Sequence, residues 1–445
     1  MDSTDLQPFL AQAKRKSGTL GVLISAFLLS AAVLFAGGCD ALTDVQPNDR
    51  TVPADELENP SSFQARLVGA QADFFFAYDM AVAWQGLYTD ELYDPGSEVE
   101  QRRVQPSNAT IGSVDEAPEG IDGLWTPMQR AAFVTNDLQG DIKDGNFPEQ
   151  VPDPENSAQL ARVSLFAGYT KITLADQFCS LAFGGDGPEL TPQETYQQAI
   201  TDFTEAIEAD NAEAAIKNAA YVGRARTHLQ LGNTQEALSD ARQVPEGFEY
   251  RPSAFSTNSQ REQNDLWNML TDSQRFTVDP RYRNMTIDGT ANGDPRVDVF
   301  QDPEDPFGVD GSTPQFQSQK YTSPTDPIRI ASWVEAQYII AEIEGGQTAV
   351  GIINDVRDAQ GIDETFSSTN ATEIRNKIIE ERRRALFLEG QRMGDLRRYE
   401  EKFDDLPEAG RFPNGTDADV DPSSEYENGT CFPLPDAERE TNPGI

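Results

Sequence analysis

A chain of 445 residues with 38% hydrophobic and 25% charged side chains can bury a large core, and its 28 prolines and 33 glycines mark many loops. The 75 acidic against 35 basic residues leave a net charge of −40, a field that repels phosphate backbones and excludes nucleic acid as a partner. Beyond residue 40 no apolar run approaches the roughly 20 residues that span a bilayer.

The N-terminus reads as an export address. Lys14, Arg15 and Lys16 form a positive start, Leu20 to Phe35 an apolar run, and Ala36, Gly37 and Gly38 a small-residue site directly before Cys39. This arrangement resembles the bacterial lipoprotein signal, with residues 1–38 removed and Cys39 acylated as the lipid attachment; the plainer alternative is a signal peptide with an incidental cysteine. Residues 39–60 are polar and proline-bearing and read as a lipidated tether to a single domain over 61–445. With Cys39 used for lipid, Cys179 and Cys431 remain as an even pair in an exported protein, either disulfide-bonded or two buried thiols.

Strand signals are few and the class is mainly α. From Phe63 to Gln85 apolar residues dominate and predict a buried helix; further helices are predicted over Leu124–Leu138 and Asn156–Leu174. At 191–244 the pattern is a helix pair. It opens on Thr191-Pro192-Gln193-Glu194, a capping box with proline at the first helical position, and carries small residues at Ala225, Gly232, Ala237 and Ala241 where a tetratricopeptide repeat needs close helix crossing. A second pair is predicted at 329–359, turning at Gly345-Gly346. Between the pairs, 245–326 is a loop-rich insertion; a helix over Thr372–Leu388 and a charged stretch precede an irregular acidic tail, 404–445.

Several blocks then align with one family. Arg329, Glu335, Tyr338 and Glu342 with Asn354 and Arg357, the run Glu381-Arg382-Arg383 through Glu389-Gly390, Arg392 and Asp395-Leu396-Arg397-Arg398, and Phe432-Pro433-Leu434-Pro435 resemble, in order, the motifs of the SusD/RagB family. The resemblance implies a SusD-like fold in which tetratricopeptide-type helix pairs form a scaffold and a loop-rich half binds ligand. It also implies a nutrient-binding lipoprotein, anchored to the outer membrane and facing the exterior. Such a protein would capture oligosaccharide or peptide and deliver it to a SusC-like TonB-dependent transporter. No cofactor is expected.

Within the conspicuous block, Glu381, Arg382, Glu389, Arg392, Asp395 and Arg397 read as structural: acid and arginine three or four apart on a helix favour internal pairing, with Glu381, Arg384 and Leu388 sharing one side. Aromatic plates among hydroxyl-binding polar groups are the better ligand candidates. Trp84, Tyr88 and Tyr93 with Asp90 lie where the first helix runs into a loop, and Trp267, Tyr282 and Tyr321 decorate the insertion; each is alternatively a core residue. Asp288, Thr290, Asn292 and Asp294 alternate like a calcium loop, but Val299 stands where the bidentate glutamate belongs, so no metal is expected. No metalloprotease, nucleophile-elbow or phosphate-loop motif is present, and His228 is the single histidine, so an enzyme is not expected. A glycoside hydrolase needs only two carboxylates and stays open, as does an interaction scaffold without small ligand.

Overall fold

The computed structural model describes residues 59–95, 123–252, 263–413 and 429–445, with the backbone of two short strands at 415–416 and 425–426. The export signal 1–38, Cys39 and the tether up to residue 58 lie outside the described residues. The first element, α1 (Phe63–Tyr88), is buried without interruption from Phe76 to Tyr88, a stretch in which only Asp79 and Gln85 carry a strongly polar side chain. It runs into β1 (Leu92–Tyr93) and packs against α2 (Trp125–Lys143) and α3 (Ala158–Gln177).

The scaffold continues as α4 (Pro192–Glu208), α5 (Ala214–Gln230) and α6 (Thr234–Ala241), each against the next. The capping box is formed at Thr191: its hydroxyl accepts from the Glu194 amide at 3.2 Å while the Glu194 carboxylate accepts from the Thr191 amide at 2.8 Å. Close crossing is achieved by glycines not singled out in the sequence. Phe203 of α4 wedges between α3 and α5, and a Cβ on Gly168 or Gly223 would stand 2.7 or 2.4 Å from its ring. Ala225, Ala237 and Ala241 are fully buried as expected, but Gly232 has open space around it; its φ of 75° makes it the turn between α5 and α6.

The second pair is α7 (Trp333–Glu344) and α8 (Gly346–Ala359), joined at Gly345 and Gly346, both at positive φ. It starts later than predicted, because Ala331–Ser332 is strand β6, paired antiparallel with β2 (Glu249–Tyr250); Ser332 then caps α7 by accepting from the Glu335 amide. Two further antiparallel pairs organise the insertion: β1 with β3 (Thr277–Val278), and β4 (Val299–Phe300) with β5 (Gln317–Ser318). The single helix expected over Thr372–Leu388 is α9 (Ala371–Ala385), and the charged stretch after it is a helix too, α10 (Arg392–Lys402). Leu388 sits at φ 55° in the turn between them, so it does not share a helix face with Glu381 and Arg384. In the tail, β7 (Gly415–Thr416) pairs with β8 (Glu425–Tyr426), and α11 covers Asp436–Thr441.

Cys179 and Cys431, 252 positions apart, are disulfide-bonded with Cα atoms 5.2 Å apart. The Cys179 amide donates to the Phe432 carbonyl at 2.8 Å and the Phe432 amide to the Gln177 carbonyl at 2.7 Å, so the tail is held to the end of α3 by backbone as well as sulfur. Among the described residues no helix is long and apolar enough to cross a membrane.

Candidate functional site

Buried ion pairs dominate the half of the molecule where α9 and α10 meet the insertion. Arg382 binds Asp395 at 2.6 Å, Arg398 binds Glu342 of α7 through two nitrogens, and Arg357 of α8 reaches Glu381, which also accepts from Arg296 at 2.6 Å. Glu389 accepts from Lys320 at 2.5 Å and Arg329 at 2.7 Å, and Arg397 donates to the Ala175 and Asp176 carbonyls at the C-terminal end of α3. Each of these side chains has at least one partner on another segment. The block from Glu381 to Arg398 therefore ties helices and insertion together, and bidentate arginine geometry suits that task.

Asp90 joins this network and, though only 3% exposed, lines the floor of two clefts. It follows α1 directly, and both of its carboxylate oxygens accept from Arg392, at 2.6 and 2.7 Å. Burial pushes the Asp90 carboxyl up, but Arg392, with Arg383 and Arg281 beyond it, more than compensates and holds it below its ordinary range. Two adjoining clefts share Asp90, Arg281 and Glu408. One, of about 420 Å³, is completed by Arg383 and Pro407; the other, of about 320 Å³, by Arg411 and Phe412. Guanidinium groups, two carboxylates and one aromatic edge offer donors, acceptors and an apolar face to a hydroxylated ligand. Of this lining only Asp90 was a candidate from sequence; Arg281, Arg383, Glu408, Arg411 and Phe412 come from three separate segments.

The other candidates are placed deeper. Trp84 is fully buried in α1. Tyr88 is buried, donates to the Cys431 carbonyl at 3.2 Å and packs edge-on against Phe412 and Phe432, so it supports the cleft from below. Tyr282 is likewise buried, stacked on Phe387 at 4.6 Å with the Arg383 guanidinium 5.0 Å from its ring. Tyr321 donates to the Leu388 carbonyl at 2.9 Å inside the core, Tyr93 is buried on β1, and Trp267 is half-buried against the core. As placed, all but the half-buried Trp267 are packing elements: their faces are taken by protein, which an open sugar platform does not allow.

The calcium-like loop is occupied by cations of the chain itself. Asp288 accepts from Arg357 at 2.9 Å and from Lys377 at 2.5 Å, and Asp294 from Arg296 at 2.7 Å and Arg384 at 2.9 Å. Against the upward push of burial, these partners bring the Asp294 carboxyl down to about 2. Among the described residues no group of three or more His, Cys, Asp or Glu is placed to hold a metal ion.

Asp90 and its neighbour Glu91 are poorly placed to serve as the acid of glycoside hydrolysis. Glycoside hydrolysis needs one carboxyl kept protonated as general acid. Asp90 is held as the anion with both oxygens engaged. Neighbouring Glu91 is pushed up to about 8 by burial, but it is buried and accepts from the Leu388 amide at 2.8 Å, away from both clefts.

Comparison with known proteins agrees with this architecture. Residues 332–445 match the sequence profile of the SusD family. The fold is shared with a surface glycan-binding protein A from Bacteroides uniformis (TM-score 0.64, 14% identity, 87% of this chain and 99% of that one). It is also shared with a SusD superfamily protein from Bacteroides vulgatus (0.62, 15%, 86% and 97%) and a SusD-like carbohydrate binding protein from the same species (0.59, 16%, 87% and 97%). No curated protein matches the chain in sequence.

Proposed function

We propose that this protein, which carries the SusD family pattern over residues 332–445 and the SusD fold throughout its described residues, is a cell-surface glycan-binding lipoprotein. It captures oligosaccharide, or peptide, and hands it to a SusC-like TonB-dependent transporter in the outer membrane, to which Cys39 anchors it by lipid. The observation that carries the reading is the conjunction of that family match with a fold covering 99% of a surface glycan-binding protein. The arginine- and carboxylate-lined clefts at Asp90 supply hydroxyl-binding groups where the segments that follow α1, β3 and α10 meet.

The test is a calorimetric screen of the purified protein against oligosaccharides and peptides, with a reducing-end assay alongside. Binding without release of reducing ends is expected; release would make the protein a hydrolase, and no binding at all would leave only an interaction scaffold. Anchoring is tested separately by fatty-acid labelling, which Cys39→Ser should abolish, and the transporter by recovery of an outer-membrane barrel with the detergent-solubilised protein.

A further inference from the structure

A third cleft, of about 360 Å³, opens between the strand end at Arg251, the loop segments 295–298 and 319–329, and the C-terminal end of α8 at Gln360. In a chain where acids outnumber bases 75 to 35, its lining includes four cations, Arg251, Arg296, Lys320 and Arg329, against one carboxylate, Asp298. The acids that pair with these cations do not line it. Glu389, Asp294 and Glu381 are each at most 1% exposed, and Glu249 bridges Arg251 and Arg329 from the side. Three of the four counter-charges are thus buried, and the fourth, Glu249, stands outside the lining although 40% exposed, which leaves the opening positive.

Donor capacity remains at this surface. Arg251 bonds through Nε to Glu249 at 2.9 Å, and among the described residues its two terminal nitrogens have no acceptor. Lys320 gives two of its three protons, to the Phe387 carbonyl and to Glu389, leaving one. The Nε of Arg329, a side chain only 7% exposed, has no acceptor, and neither has the Gln360 Oε1 a donor. Buried polar groups without partners are rare in folded proteins and ask for an occupant.

We propose that this cleft binds the carboxylate of an acidic sugar residue, with Arg251, Lys320 and Arg329 donating to the carboxylate and Asp298 and Gln360 meeting the ring hydroxyls. Arginine and lysine donors converging on one opening suit a carboxylate, and charge-assisted bonds of this kind are the strong ones. A bare inorganic anion would leave Asp298 as a repulsive neighbour and Gln360 unused, whereas a uronic acid uses both. The inference rests on the glycan-binding reading and specifies a ligand class for a place distinct from the Asp90 clefts.

Calorimetry of the purified protein with methyl glucuronide and methyl galacturonide, at about 0.1 M salt where the Debye length is still about 10 Å, tests it. Methyl glucoside, acetate and neutral oligosaccharides are the controls. At least one uronide should bind roughly tenfold or more tighter than methyl glucoside and acetate, and Arg251→Gln, at an exposed position, should cost roughly tenfold in uronide affinity. The inference is overturned if the uronides bind no better than methyl glucoside, if acetate binds as well as they do, or if Arg251→Gln leaves their affinity unchanged. Neutral oligosaccharide binding unaffected by Arg251→Gln, with the uronides failing, would remove this cleft's role and leave the glycan-binding function standing. Uronide binding with no oligosaccharide bound would do the reverse.

Discussion

Arg392 and Asp90, 302 positions apart, are joined by two hydrogen bonds of 2.6 and 2.7 Å, with both side chains nearly sealed from solvent. The pair fastens the start of α10 to the segment leaving α1, directly beneath the Asp90 clefts. Removing the cation leaves a buried carboxylate with its desolvation cost uncompensated. Arg392→Met should therefore destabilise the protein by about 3–5 kcal/mol in chemical denaturation. The double change Arg392→Met with Asp90→Ala should recover much of that, since the stranded charge is gone, and Arg392→Lys should recover less because a lysine cannot reproduce the bidentate fork.

Acid should weaken the same region. Partners hold the Asp294 carboxyl at about 2, and Glu380, which burial alone would raise, is brought to about 2 by Arg383 and Arg384. Both ordinary values lie higher, at 3.8 and 4.5, so between about 2 and 4 the unfolded chain binds more protons than the folded one. The sign follows: the stabilisation is complete above that window and is lost as pH falls through it. Arg384 serves both acids, at 2.9 Å from Asp294 and in close contact with Glu380. Arg384→Met should flatten the fall in denaturation free energy between pH 5 and 2; an unchanged slope would show that these carboxylates do not govern it.

What was legible in the sequence was local. The Thr191 capping box, the Gly345-Gly346 turn and the apolar density of α1 depend on neighbours within a few residues, and each forms where its pattern stands. The helix α10 was not legible. Its apolar positions are only Met393, Leu396 and Tyr399, and its charges are satisfied on other elements, Asp395 by Arg382 and Arg398 by Glu342. The aromatic candidates other than the half-buried Trp267 are buried for the same reason. Whether Trp84, Tyr282 or Tyr321 is a platform or a core residue is decided by what packs on it, and those partners come from distant chain. The cleft lined by Arg251, Lys320 and Arg329 was equally hidden, because no spacing rule connects an arginine at a strand end to a lysine in a loop.

The disulfide between Cys179 and Cys431 closes a loop of 252 residues and anchors the tail to α3. Cross-links of long loops restrict the unfolded chain most, and roughly 2–5 kcal/mol is expected here. Reduction, or the double change to serine, should lower the denaturation midpoint accordingly. The Phe178 and Phe432 rings, 5.6 Å apart, and the backbone bonds beside the sulfurs should keep the tail docked in the reduced folded protein. Hydrogen exchange at the Cys179 and Phe432 amides checks this: rapid exchange in the reduced protein would show that the covalent bond alone holds the tail.

A net charge of −40 sets the response to salt. The buried arginines are consumed by internal pairs, so the self-repulsion is left to an acidic exterior that mobile ions can screen. The Debye length falls from about 10 Å at 0.1 M to about 3 Å at 1 M, which removes repulsion between most surface carboxylates. It barely touches buried contacts such as Arg226 with Glu335, whose side chains are at most 2% exposed. Stability should therefore climb steeply with sodium chloride up to about 1 M, then continue more slowly as the hydrophobic term alone responds. If the excess of 75 acidic over 35 basic residues marks a salt-loving source, that climb is required. A denaturation midpoint flat from 0.1 to 1 M would mean that the acidic residues are spaced widely enough to be tolerated in dilute buffer, as on an ordinary acidic surface protein.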